Sequence, residues 1–294
     1  MHPLFFTVPQ ELSGCTVQHI LINVFSMSRS HISRLKRREG GILLNGEKCY
    51  STARCSAGDT VSALISDPPG APRLEPMEAP LDIVFEDEWL LVLNKPAGVT
   101  VHPERSGVGG SVENALSAYL KPDEFCHTVS RLDRGTSGLM TVAKCGYMHE
   151  RMRGILHTDG FQKTYLGISR NPPVPTEGIT DLPLEHTPGS NYLMRIAAAG
   201  SGMPSVTRWR VLSAENGFYL IELAPLTGRM HQLRVHTAAL GFPLEGDWLY
   251  GEESKLIERP ALHSARLVFT HPMTGGTVSL EAPLPEDMRK LLGR

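Results

Sequence analysis

Cysteine is scarce in this chain and carries no pairing pattern. The five residues, Cys15, Cys49, Cys55, Cys126 and Cys145, include no Cys-x-x-Cys spacing. An odd set of that kind argues against a disulfide framework and a zinc ribbon, and suits a reducing compartment, the cytoplasm. Excess charge of either sign is also missing. A formal net charge of −2 supplies no global field for a polyanion, so such a partner must be met by local patches. No apolar run reaches the ~20 residues that cross a bilayer, which argues against a membrane partner. The start, Met1-His2-Pro3-Leu4-Phe5-Phe6, has neither the basic residues nor the long apolar core of a secretory leader. Gly107-Val108-Gly109-Gly110 lacks the lysine and spacing of a phosphate loop and reads as a plain loop. His231 and His236 sit on different faces of a helix, with no carboxylate or cysteine pattern to complete a site, so no metal is expected.

What is present has two parts, and 294 residues leave room for a small domain beside a large one. Residues 12–66 read as the small one. Val17, Ile20, Leu21, Val24 and Phe25 recur at helical spacing behind Thr16, a suitable cap. A second helix starts at Ser28 or Ser30, buries Ile32 and Leu35, and ends at Gly40-Gly41. Its other faces carry Arg29, Arg34, Lys36, Arg37 and Arg38 with no acid among them, which suits phosphate binding or a solvated helix end. Asn45-Gly46 marks a hairpin, and Thr60 to Ile65 alternates as a strand. Residues 67–80, rich in proline, read as an extended linker that lets the two domains move.

Residues 81–294 read as one larger domain. A hairpin is expected across Glu86-Asp87-Glu88, a helix from Ser111 to Leu120, and a second over 147–157. A strand at 163–168 precedes a long surface loop, 171–190. Strands at 192–198, 205–212 and 218–224, a helix over 230–240, strands near 263–269 and 277–282 and a helix within 285–292 complete the chain. Many neighbouring strands with few crossover helices predict an α+β fold with a mixed, largely antiparallel sheet.

The large domain is organised around residues 129–144, where Arg131-Leu132-Asp133-Arg134 leads into Gly135-Thr136-Ser137-Gly138 and then an apolar run. Turn residues directly after the charged triplet place it on a loop. Positive neighbours favour the charged form of a carboxylate, so Asp133 is a candidate nucleophile or electrostatic stabiliser, with a surface salt bridge as the plain alternative. Three further segments accompany it: Leu91-Val92-Leu93-Asn94-Lys95-Pro96-Ala97-Gly98-Val99 with His102-Pro103; Lys163-Thr164-Tyr165; and Thr227-Gly228-Arg229-Met230-His231-Gln232-Leu233-Arg234-Val235-His236, continuing to Gly246-Asp247 and Tyr250-Gly251.

On these four motifs, in this order from about residue 82 to 282, the chain resembles the RluA-type pseudouridine synthases. Ser28-Arg29-Ser30-x-Ile32-x-Arg34-Leu35, Ile42-x-x-Asn45-Gly46 and Arg54-x-x-x-Gly58-Asp59-x-Val61 resemble the alpha-L RNA-binding domain of ribosomal small-subunit protein four. The resemblance implies a pseudouridine synthase fold that isomerises uridine in ribosomal RNA, with transfer RNA second. It also implies no cofactor, and a monomer is expected. It makes Asp133 the catalytic carboxylate, Arg234 its basic partner, and Tyr165 the ring that stacks on the base and handles a proton. Leu233 becomes the apolar contact to the base, Arg131 the residue that holds extruded RNA, and Arg229 a further substrate contact. The family usually has His where this chain has Ser130, and this substitution is expected to tune packing rather than abolish activity. An inactive RNA-binding assembly factor of the same fold is the alternative. A nucleoside hydrolase wants a second carboxylate, for which Asp247 is the one candidate, read as structural.

Overall fold

The computed structural model describes residues 3–68, 70, 73–103, 110–122, 124–156 and 158–294. The loop expected at Gly107-Val108-Gly109 lies outside them, as do parts of the proline-rich linker.

The small basic module is a four-stranded sheet with short helices. Strand β1 (Leu4–Thr7) pairs with β4 (Thr60–Ala63), which pairs in turn with β2 (Ile42–Leu44), and β3 (Glu47–Lys48) closes the Asn45-Gly46 hairpin. β1 lies upstream of residue 12, so the sheet takes in more of the N-terminus than the sequence reading assigned to it. Thr16 does cap the first helix, accepting from His19 N at 3.2 Å. That helix has one regular turn, α1 (Val17–His19), and then widens into a π-helical stretch over Ile20–Val24. Helix α2 (Arg29–Leu35) is capped by Ser28 and buries Ile32 and Leu35.

The large domain is built on a ten-stranded sheet. Its strands are β5 (Ile83–Glu86), β6 (Leu90–Lys95), β7 (His127–Thr128), β8 (Ser137–Ala143), β9 (Phe161–Ser169), β10 (Glu177–Thr180), β13 (Thr207–Glu215), β14 (Phe218–Pro225), β15 (Leu262–Thr270) and β16 (Thr277–Glu281). The main order is β10-β13-β14-β9-β15-β8-β6-β5, with β16 on β15 and β7 on β8. Among the described strands only the β15–β8 pairing is parallel, so the sheet is mixed and largely antiparallel, as the strand spacing implied. Helices α3 (Val112–Tyr119), α4 (Gly146–Ile155), α5 (Gln232–Ala239) and α6 (Glu286–Leu291) pack around it.

Strand alternation separates the two faces of the sheet. Leu91 and Leu93 share one apolar cluster with Met140, Val142, Tyr165 and Leu233. Leu90 and Val92 belong to another, with Tyr147 and Met148 of α4 and Phe25, Ile32 and Leu35 of the small module. The two parts of the chain therefore share a core. Tyr147 donates to Phe25 O at 2.7 Å, and Ser28 Oγ donates to Glu150 at 3.0 Å. The linker is extended, as proline dictates, but it is strapped to the large domain rather than free. Asn114 Nδ2 donates to Glu75 O, Ser117 Oγ to Leu74 O, and Arg73 reaches three carbonyls at the end of α3. The described part of the linker is therefore a bound strap rather than the free spacer that its composition suggests.

The long loop expected over 171–190 contains β10 and β11 (Leu184–His186), the latter paired with β12 (Met194–Ile196) in a ribbon of its own. Glycine there serves a close approach rather than a turn: a Cβ on Gly178 would lie 2.5 Å from the Trp209 ring across the β10–β13 pair.

Candidate active site

Asp133 stands on the loop that feeds β8. Leu132 beside it is buried and anchors the loop, while Arg131 is exposed and Asp133 half-buried. The loop is held from beneath. The Lys95 ammonium donates to Pro96 O and Val99 O at 2.8 Å and to Arg134 O at 3.3 Å. Gly98 N donates to the same Arg134 carbonyl at 2.8 Å, and Arg134 Nε returns to Gly98 O at 3.0 Å. Burial pushes the Lys95 amine down to about 8. Lys95 is thus spent on loop carbonyls and is no phosphate contact. On the far side Arg259 donates to Gly135 O at 3.1 Å. Gly138 then passes so close to β15 that a Cβ would lie 2.3 Å from Ser264 O, and its φ of +108° also demands glycine.

Tyr165 comes from β9, in the middle of the sheet, and Arg234 from α5. Helix α5 starts at Gln232 because His231 takes a left-handed φ of +53°. Gln232 is buried and joins three segments. Its Oε1 accepts from Thr227 Oγ1 at 2.8 Å and Arg229 N at 3.0 Å, and its Nε2 donates to Val206 O at 2.9 Å. That network fixes the Thr227-Gly228-Arg229 turn against the helix, so Leu233 and Arg234 face the Asp133 loop.

Arg234 meets two carboxylates. Nε and Nη2 each lie 2.7 Å from an oxygen of Asp247, and Nη1 lies 3.4 Å from Asp133 Oδ2. Burial works against the guanidinium charge, but Asp247 and then Asp133 outweigh it and hold the group above its ordinary range. Asp247 is fully buried and has the structural role expected of it. Tyr165 is buried, and burial, followed by the charge of Asp133, pushes its phenol well up, so it stays neutral.

These side chains line one cleft of about 600 Å³. All six large-domain candidates, Asp133, Tyr165, Arg234, Arg131, Leu233 and Arg229, border it. Among its described lining residues Asp133 is the only acid, against Arg131, Arg134, Arg153, Lys163, Arg229 and Arg234. Desolvation lowers the Lys163 amine to about 8. Ser130, where the resemblance places His, is buried in the wall of the same cleft.

The basic residues of α2 stand apart from this cleft and divide into two sets. Arg34 pairs with Glu150 of α4 at 3.3 Å. Arg38 donates to Ser66 O, and to Asp67 O at 3.3 Å, at the start of the linker. Arg29, Lys36 and Arg37 are exposed.

His231 and His236 are engaged separately. His236 is buried, with Nε2 donating to Leu182 O and Nδ1 accepting from Thr207 Oγ1, both at 2.9 Å. The sequence reading weighed His231 only as a metal ligand, yet its Nε2 lies 3.8 Å from Asp133 Oδ2. Only its place three residues before Arg234, just ahead of the same helix, could have hinted at this.

Comparison with known proteins identifies the family. Residues 89–239 match the family described as RNA pseudouridylate synthase. The chain is 33% identical to ribosomal large subunit pseudouridine synthase D of Neisseria meningitidis serogroup A, over 97% of its own length and 80% of the relative's. It is also 33% identical to the uncharacterized RNA pseudouridine synthase YjbO of Bacillus subtilis, over 90% and 94% of the two chains. Among solved structures, human RNA pseudouridylate synthase domain containing 4 is similar with a TM-score of 0.58 and 26% identity, over 72% of this chain and 91% of that one.

Proposed function

The chain belongs to the RNA pseudouridylate synthase family, and we propose that Asp133 is the carboxylate with which it isomerises uridines of ribosomal RNA. The enzyme is an RNA pseudouridine synthase, an isomerase acting on RNA. In that reaction the bond from N1 of uracil to the ribose anomeric carbon breaks, and one from C5 to the same carbon forms. A proton leaves C5 and N1 gains one, so the overall change is neutral in electrons and needs no leaving group.

The observation that carries the proposal is the charge of the cleft. Among the described lining residues one carboxylate stands with six basic side chains, with a buried aromatic ring and Leu233 beside it. A polyanion is drawn to such a wall, and a base taken out of its stack finds an aromatic face. Arg234 orients Asp133. Tyr165 and Leu233 pack on the base, with Tyr165 moving a proton as the neutral phenol. Arg131 and Arg229 hold the backbone around the extruded nucleotide. The likeness to a ribosomal large subunit enzyme supports ribosomal RNA as substrate, with transfer RNA second. The small module acts as an alpha-L domain that adds RNA affinity through Arg29, Lys36 and Arg37. The enzyme works as a monomer in the cytoplasm.

Asp133→Asn tests the reading. Carbodiimide mapping of ribosomal RNA from a strain carrying only this variant should lose the modification, while purified protein binds RNA as before. Retained pseudouridine would sink the assignment. Unchanged modification in a strain deleted for the gene, with altered ribosome assembly, would favour the inactive assembly factor.

A further inference from the structure

His231 is the neighbour of Asp133 that this reading leaves without a task. Its backbone sits in the left-handed region at φ +53°, which is uncommon for residues other than glycine although histidine, like asparagine and aspartate, enters it more readily than most. The conformation aims the ring back over the Asp133 loop rather than along α5. Its Nδ1 lies 2.8 Å from Tyr250 Oη, and its Nε2 3.8 Å from Asp133 Oδ2.

The hydrogen bonding decides which nitrogen carries the proton. Tyr250 Oη accepts from Met194 N at 2.9 Å, which leaves the phenolic hydrogen to be donated to His231 Nδ1. The ring's own proton then sits on Nε2, facing the carboxylate. The opposite tautomer would set a bare Nε2 lone pair against a carboxylate oxygen. Among the described residues the ionisable groups facing the ring are Asp133, Arg234, Asp247 and Tyr250. Burial lowers the imidazole below its ordinary value, Asp133 works against that and Arg234 with it, so the ring is neutral and has one N–H to give.

Arg234 Nη1 and His231 Nε2 converge on the same atom, Asp133 Oδ2. We propose that His231 is a positioning residue: with RNA in the cleft its Nε2–H closes onto Asp133 Oδ2 beside Arg234, which turns Oδ1 toward the ribose and base as the reacting oxygen. Tyr250 acts one step further back by fixing the tautomer. The inference rests on the catalytic reading of Asp133.

The test compares His231→Leu, His231→Gln and Tyr250→Phe for kcat, RNA affinity and the pH dependence of kcat on a uridine-containing transcript. His231→Gln can keep an N–H near the Nε2 position, and His231→Leu removes it. His231→Leu should lower kcat about 100-fold, the scale of a reacting group misplaced by an ångström, with RNA affinity changed less than about threefold. His231→Gln should recover at least about tenfold of that loss. Tyr250→Phe removes the donor to Nδ1, so the ring gains a proton more readily and a new ionisation enters the kcat profile on its acid side. The same change in the His231→Gln background should show no such ionisation. His231→Leu within about threefold of native kcat, or His231→Gln as slow as His231→Leu, overturns the proposal. An identical new ionisation in the double variant does so too. Asp133→Asn run in parallel separates the two failures: if it still turns over, the catalytic reading itself falls, whereas if it is inactive while His231→Leu is not, only the role of His231 falls.

Discussion

Arg234 is held more closely by Asp247 than by Asp133: both contacts to the buried Asp247 are 2.7 Å, against 3.4 Å to the catalytic candidate. The firm bidentate pair locks the guanidinium, and the remaining nitrogen is presented to the cleft. Asp247 thus acts as the anchor of the partner of Asp133, although the two carboxylates lie far apart in sequence.

Replacing that anchor should therefore cost both stability and catalysis. Asp247→Ala leaves a guanidinium that is 6% exposed without its main partner, and breaking a buried pair from one side costs about 3–5 kcal/mol. Urea unfolding at neutral pH measures the loss. In the folded fraction kcat should drop by at least about tenfold, because Arg234 can then swing away from the position that orients Asp133. A variant as stable as the native protein would show that Arg234 finds water or another acid instead.

Lys95 makes a similar prediction for the loop itself. Its three carbonyl partners belong to the two segments that carry Val99 and Arg134. Lys95→Met fills the space but leaves these buried acceptors short of a donor, at about 1–3 kcal/mol for an unsatisfied group. Turnover should fall together with thermal stability while RNA affinity holds, since no lining cation of the cleft is removed. Weakened RNA binding with normal turnover would instead make Lys95 a phosphate contact.

The basic helix should behave as two sets rather than one. Substituting Arg29, Lys36 and Arg37 together by alanine should weaken RNA binding and flatten the plot of log affinity against log salt by about 2, the value for three contacts to single-stranded RNA. Arg38→Met should leave that slope alone and cost about 1–2 kcal/mol of stability, because Arg38 ties α2 to the start of the linker. Filter binding across a salt series reads the first and thermal melts the second. Equal slopes for the native and triple variants would strip the small module of its proposed function.

Local turn chemistry and strand alternation made the α+β sheet legible, whereas the convergence of Asp133, Tyr165 and Arg234, which lie far apart in sequence, was expected only from the family resemblance that the four motifs carry. The sequence concealed what depends on distant partners. Leu4–Thr7 has an ordinary strand pattern whose place follows only from β4, more than fifty positions on. Arg34 and Arg38 look like free cations until Glu150 and Ser66 arrive beside them. Gly178 read as a loop residue because the Trp209 ring above it cannot be seen in the neighbouring sequence. His231 was read as part of a regular helix, and only its left-handed backbone brings the ring over Asp133.

His263 should give the fold a measurable acid limb. It is buried on β15, with Nδ1 accepting from Ser137 Oγ of β8 at 2.9 Å and Nε2 donating to Ala282 O at 3.3 Å. That pattern uses the neutral ring, and burial lowers its pKa from 6.5 to about 4. The unfolded chain therefore binds the proton more readily than the folded one between these values. Stability from this group is complete above pH 6.5 and is lost as the pH falls toward 4, by about 3 kcal/mol in all. Asp67 and Asp287 act in a lower window: burial pushes both up, but His127 and Arg259 more than compensate, so both stay below the ordinary value of 3.8. Burial also lowers His31, His149, His231 and His236, so the native protein alone cannot isolate one ring. The difference between native and His263→Gln can. Between pH 6 and 4.5 the native curve should fall more steeply by up to about 1.4 kcal/mol per pH unit, the slope of one proton. Parallel curves would mean that β8 and β15 open enough for water to reach the ring before global unfolding.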